Sequence, residues 1–222
     1  LPETSETYQL PEVKLAAAGK NFVVTRNLPQ TRVLMVQHGL PRSDPDWYAA
    51  TIMNYVLGGG GFNSRLMLEV REKRGLTYGV SSQLQHNKSA NLMVVGAATA
   101  NATAAECVRI IKEEWQKLAD GGITTDELKD AQTYLTGALP LALTSTDKIA
   151  DFILQLQVEK LGIDYPAQRL AKLKAVTTAD VARLAKRLLD TNAMTLFAVG
   201  EPEGLTDTEI APDPAKGLMQ DV

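Results

Sequence analysis

LGGGGFNSRLMLEVREKRGLTYG, Leu57 to Gly79, decides how this chain is read. Four glycines, Gly58, Gly59, Gly60 and Gly61, break an apolar helix, and Asn63 or Ser64 is suited to cap the next one. That second helix carries Arg65, Arg71, Lys73 and Arg74, and it stops at Gly75, which suits a left-handed terminal position. The basic residues fall in its last turn, where the helix dipole favours them. Thr77 and Tyr78 then open a strand. The turn folds back on itself, so Arg71 and Tyr78 can face a common space across seven positions of sequence. A guanidinium and a phenol converging beside a strand edge can hold a peptide carbonyl and the negative charge it develops under attack. Ordinary readings stand beside this one: an arginine on an amphipathic helix is usually a solvated charge, and a strand tyrosine usually packs as a core or edge aromatic.

Working outward, Asn21 to Arg26 and Thr31 to His38 are β-rich runs separated by the turn signal Asn27-Leu28-Pro29-Gln30, which predicts a hairpin. Asp44 to Leu57 predicts a helix, with Asp44 as cap and Pro45 at its first position. Tyr78 to Leu84 and Asn91 to Ala100 predict two strands around a polar loop containing His86, Asn87 and Lys88. Thr103 to Asp120 has strong helical periodicity and ends at Gly121-Gly122. A further helix starts at Thr125 and is interrupted at Pro140. Thr146 to Leu161, Pro166 to Lys174 and Thr178 to Leu189 are helical patterns, and Ala193 to Gly200 is a final short strand. Hairpins with blocks of helices indicate an α+β fold, a mostly antiparallel sheet covered by helices on one face. Residues 1–18 read as a linker from a preceding segment, 19–201 as one domain, and 202–222 as a tail, which leads to the expectation of a longer parent protein.

At 222 residues with 45% hydrophobic and 22% charged residues, the chain has the composition of a globular protein with a sizeable core. A net charge of -3 argues against nucleic acid as the main partner, since that would want a basic face. No apolar run of about 18 residues predicts a membrane span. Cys107, the single cysteine, lies in a helical pattern with Ala104, Val108, Ile111 and Trp115, and reads as a buried thiol. The compartment is not fixed by these features, and a bacterial periplasm or cytoplasm is the setting expected.

The chemistry the residues exclude is informative. His38 and His86 lie in different segments, neither has a His or Glu partner at helical spacing, and HExxH and HxxEH are both absent. No metal ligands are therefore expected in this chain. GxSxG is absent and Cys107 sits mid-helix, against a serine or cysteine nucleophile. The glycine run lacks GxxxxGK[ST], and a helix precedes it where a dinucleotide loop needs a strand. It reads either as a helix-breaking turn or as a loop whose bare backbone lets an extended peptide approach.

Three strings, in order, resemble the C-terminal half of insulinase/pitrilysin-family zinc peptidases. DPDWYAATIMNYVLGGGGFNSRL is similar to that half's first helix and glycine loop, LEVREKRGLTYGV to its Arg-x6-Tyr segment, and AQTYLTGALPLAL to its A-x-x-Y-L-x-G-x-x-P-x-x-L helix pattern. The similarity runs from roughly Lys20 to Gly200. In that family two homologous halves form a clam shell; the N-terminal half binds zinc, and the C-terminal half supplies an arginine and a tyrosine that stabilise substrate and the tetrahedral intermediate.

The resemblance implies that Arg71 and Tyr78 are that pair, that Gly58 to Gly61 contact peptide substrate, and that a zinc-binding N-terminal-type half is the partner, on the same polypeptide or as a separate subunit. Laid over the family's zinc helix, Ala50, Met53 and Asn54 stand where the His, Glu and His would be. The cofactor, zinc, is accordingly expected in the partner half. Two other readings remain open: a non-catalytic scaffold subunit like the core proteins of the respiratory cytochrome bc complex, and a regulatory peptide-binding module.

Overall fold

The computed structural model describes residues 17–87 and 89–207. Strand β2 (Gln30–His38) buries Thr31, Val33 and Met35 and exposes Gln30, Arg32 and Leu34, the two-residue period of a sheet with one covered face. It is joined by β1 (Asn21–Thr25), β3 (Thr77–His86), β4 (Asn91–Ala100) and β5 (Thr195–Gly200). The five form one sheet in the order β1-β5-β2-β4-β3. All neighbours are antiparallel except β1 and β5. The α+β class expected from the sequence is thus the class observed.

The expected β1–β2 hairpin does not form. β5 lies between the two strands, parallel to β1 (Phe22 opposite Phe197) and antiparallel to β2 (Leu34 opposite Phe197). The reason is burial. Leu196 and Ala198 are 1% and 0% exposed, and an inner position satisfies both edges of that short strand while those side chains reach the core. Asn27-Leu28-Pro29-Gln30 therefore spans a strand instead of closing a tight turn.

Helices α1 (Trp47–Asn54), α2 (Ala104–Gly121) and α6 (Thr178–Leu188) cover one sheet face. In α2, Cys107, Val108, Ile111, Trp115 and Leu118 recur at three- and four-residue spacing and meet Val33, Met35 and Val95 of the sheet. The indole of Trp115 donates to Gln37 Oε1 (3.2 Å), and Gln37 Nε2 donates to the Leu188 carbonyl (2.8 Å), so this polar pair inside the core is satisfied.

Helices α3 (Thr125–Ala142), α4 (Thr146–Val158) and α5 (Tyr165–Ala175) form a second group. Pro140 does not interrupt α3, as its sequence suggested; the helix runs through it to Ala142. Only two helical residues follow, so the missing N–H removes a bond from a last turn that frays in any case. α3 is capped by Thr124, one residue before the expected start, whose hydroxyl accepts from the Glu127 amide while Glu127 reaches back to the Thr124 amide. Among the described residues no helix is long and apolar enough to cross a membrane. Of the expected linker, only residues 17 and 18 are described, and the expected tail is described to 207; the rest of both lies outside the described residues.

Candidate functional site

The glycine turn joins two helices that end in wide, π-type turns, Tyr55–Gly59 and Met67–Glu72. Gly60 N–H reaches back five residues to the Tyr55 carbonyl, and Lys73 N–H does the same to Leu68. Such turns distort the backbone and recur at functional sites. Gly58 is buried, and a Cβ placed there would lie 2.6 Å from the Ser82 amide nitrogen of β3. The helix therefore approaches the strand backbone as only glycine allows. Ser82 Oγ donates to Asn54 Oδ1 (2.8 Å), fixing the same junction. Gly59 borders a cavity described below, and Gly61 has φ +61.

Ser64 starts the second helix in extended conformation, but its hydroxyl donates back to the Gly61 carbonyl (2.7 Å) rather than capping a helical amide. Arg65 makes a two-pronged ion pair with Glu127 (2.6 and 2.7 Å) and donates to the Gly122 carbonyl (3.0 Å), tying this helix to the start of α3. Burial pushes the Glu127 carboxyl up, but Arg65 and the Thr124 amide outweigh it and hold it below its ordinary value. Gly75 closes the segment at φ +64, the left-handed position expected of it.

Arg71 lies 4.7 Å from the centre of the Phe62 ring and pairs with Glu72 (2.5 Å). Phe62 belongs to the turn that begins at Gly61, so the glycine turn and the arginine are in contact through this ring. Tyr78 lies on the strand that follows. Thr77 pairs with Thr99 and Val80 with Ala97, so three steps along β3 match two along β4. The extra residue is a bulge, and Tyr78 and Gly79 are both exposed within it. Thr77 Oγ1 secures the bulge by donating to the Ala98 carbonyl (2.6 Å) and accepting from the Gly79 amide (3.0 Å). Tyr78 is 90% exposed, its ring turned to solvent.

Ala50, Met53 and Asn54, expected from the resemblance to overlie a zinc helix, offer no metal ligands. Ala50 and Met53 are 0% exposed, and Asn54 is engaged by Ser82. Among the described residues no three His, Cys, Asp or Glu side chains cluster to hold an ion. His38 ends β2 at the surface, while His86 packs edge-on against Trp47 (5.1 Å) and lies 3.5 Å from Glu159. Cys107 is buried, and burial pushes its thiol up to about 11.

A cavity of about 480 Å³ lies beside these elements. Ser82 and Leu84 from one face of β3 and Gln83 from the other all border it. Both faces of a strand meet one space only along its edge, and β3 is an edge strand of the sheet. Trp47, Tyr48, Tyr55, Tyr134 and Tyr165 supply aromatic walls, with Arg42 and Arg169 among them. Burial, reinforced by Tyr165 for Tyr48 and by Tyr134 for Tyr55, pushes both phenols up, so both remain O–H donors. Sequence reasoning missed this wall because it draws on α1, α3 and α5 at once, and no local spacing marks it.

Residues 1–135 match the model of the family described as the peptidase M16 inactive domain. An uncharacterized zinc protease of Streptomyces coelicolor is 32% identical over 176 residues, 78% of this chain and 38% of that protein. A non-peptidase homolog of Helicobacter pylori is 34% identical over 96 residues, 43% of this chain and 22% of that protein. The crystal structure of a peptidase M16 inactive domain from Pseudomonas fluorescens superposes with a TM-score of 0.82 at 26% identity, over 94% of this chain and 49% of that one. The chain thus spans half or less of these relatives. The matched sequence and the shared fold agree: this chain belongs to the peptidase M16 family and matches its inactive domain.

Proposed function

We propose that this chain is the metal-free half of a zinc-dependent endopeptidase. It binds extended peptide along the free edge of β3 and offers Arg71 and Tyr78 to a carbonyl under attack, while the metal belongs to a zinc-bearing partner half. The observation that carries this reading is Tyr78, a large aromatic 90% exposed on a bulged edge strand. Exposure of that ring gains nothing in folding, and bulges beside sites serve to re-aim a side chain. An unpaired strand edge hydrogen-bonds any peptide backbone, which suits unfolded or short peptides as substrates. Gly59 to Gly61, exposed or partly so, leave room for that backbone beside the strand. A phenol and a guanidinium set before the reaction act where negative charge develops, without reorganising at that moment.

Addition of this chain to the zinc-bearing half, with unfolded casein and labelled short peptides as substrates, is the test. Cleavage that a chelator abolishes should require both components, and the chain alone should contain no stoichiometric zinc and cleave nothing. Chelator-sensitive cleavage by the chain alone, after contaminating proteases are removed, contradicts the reading. One observation favours the scaffold alternative: the Helicobacter pylori relative is named a non-peptidase homolog. An assembly that forms normally but cleaves nothing would support it.

A further inference from the structure

We propose that the cavity along the edge of β3 is a subsite for a carboxylate carried next to a bulky apolar side chain of the bound peptide; this rests on the edge-binding reading above and names the substrate class it favours. Arg42 carries the inference. Its guanidinium lies 4.8 Å from the Trp47 ring centre and 5.3 Å from that of Tyr165, and it donates to the Tyr165 hydroxyl. Trp47 and Tyr165 are each 7% exposed, so the cation is held between two buried rings.

Among the described residues no carboxylate pairs with Arg42. Arg169, on the same wall, donates one N–H to the Leu135 carbonyl (2.8 Å) and likewise has no acidic partner. The acids near Arg42 are already taken: Asp46 is gripped by Arg183 (2.7 and 2.9 Å), and Asp44 is paired with Arg187 (3.2 Å). Glu159 stands beside His86 at 3.5 Å; it is outside the wall of this cavity but borders an adjoining space that Arg42 and Arg169 also line, without pairing with either.

Two guanidinium groups without a paired carboxylate, on an aromatic wall that itself carries no acid, make a space suited to a negative charge. Partly buried cations are costly unless an anion meets them, and each arginine retains N–H donors in the fork geometry a carboxylate accepts. The rings provide apolar area for a neighbouring side chain, and the Tyr48 and Tyr55 hydroxyls remain protonated donors at its rim. A carboxylate of this kind comes either from the peptide's C-terminus or from an acidic residue within it.

Three N-acetylated tetrapeptides separate these sources by calorimetric titration of the chain: Ala-Ala-Ala-Phe as the free acid, the same sequence as the C-terminal amide, and Ala-Ala-Asp-Phe as the amide. At least one acid-bearing peptide should bind about tenfold more tightly than the neutral amide, the gain expected of a charge-assisted pair. Gain in the first alone assigns C-terminal capture, and gain in the third alone assigns an internal acid. Trp47 emission should report the binding, since the other tryptophan, Trp115, is 0% exposed. Arg169→Gln, which leaves the Arg42 stack in place, should reduce the preference several-fold at unchanged melting temperature, and Arg42→Gln should do so where that variant folds. A neutral amide that binds as tightly as both acids, or an undiminished preference in Arg169→Gln, overturns the subsite while leaving edge binding intact. Failure of all three peptides to bind overturns both.

Discussion

Gly58 has no room for a methyl group. A Cβ there would lie 2.6 Å from the Ser82 amide and 2.9 Å from a Leu66 methyl, both in packed surroundings. Gly58→Ala should therefore destabilise the chain by about 1–3 kcal/mol, the usual cost of overpacking. Gly96→Ala, at a position with nothing within 4 Å, should stay within about 0.5 kcal/mol. Urea titration of both variants checks the contrast, and equal loss at the two sites would refute it. Cys107 makes a second residue-scale case. Burial pushes its thiol up to about 11, so Ellman's reagent should react very slowly at neutral pH and rapidly once denaturant is added. Its place in the apolar stripe of α2 was readable directly from helical spacing. The packing of Gly58 against β3 was not, because the partner lies 24 residues on and only the folded backbone brings the two together.

Among elements, the helix after the glycine turn depends on Arg65. Its ion pair with Glu127 is largely shielded, the side chains being 19% and 28% exposed, and Glu127 also closes the cap of α3. Arg65→Met should lower stability by about 1–3 kcal/mol, the range for hydrogen bonds to charged groups. It should also speed amide exchange at the start of α3. Unchanged exchange there would mean that the two elements are not coupled through this pair. Local patterns revealed the helices well: the breaks at Gly75 and Gly122, both at φ +64, fall where the sequence put them. They failed for strand partners. A turn signal at Pro29 cannot announce that β5, some 170 residues later, will fill the gap between β1 and β2. Nor could alternation foresee the bulge at Tyr78, since one extra residue leaves the composition of the strand unaltered.

At the scale of the whole molecule, Asp46 at the entry to α1 is joined to Arg183 and Arg187 of the α6 segment, so the first and last helices over the sheet are linked by charge. Arg183 holds the Asp46 carboxyl below its ordinary value against the opposing effect of burial, and Arg65 does the same for Glu127. A carboxyl with a lowered folded pKa stabilises fully above its unfolded pKa, about 4 for these groups, and loses that contribution as pH falls through the folded value. Melting temperature should thus decline below about pH 4, and Asp46→Asn with Glu127→Gln should make that decline shallower. An identical acid limb in the double variant would show that other groups govern it. The family was legible in three strings of sequence; the wall of the β3 cavity was not, being assembled from distant helices.

The central claim concerns Tyr78 and Arg71, and turnover by the assembled enzyme tests it most directly. With Tyr78→Phe or Arg71→Ala in an assembly that contains the zinc-bearing half, kcat should fall about 100- to 1000-fold, the loss typical of one donor to a developing oxyanion. Tyr78→Phe should leave the melting temperature of the chain unchanged, because only an exposed hydroxyl is removed. Near-normal kcat in both variants, or a Tyr78→Phe effect confined to melting temperature, would contradict the account and make the pair structural.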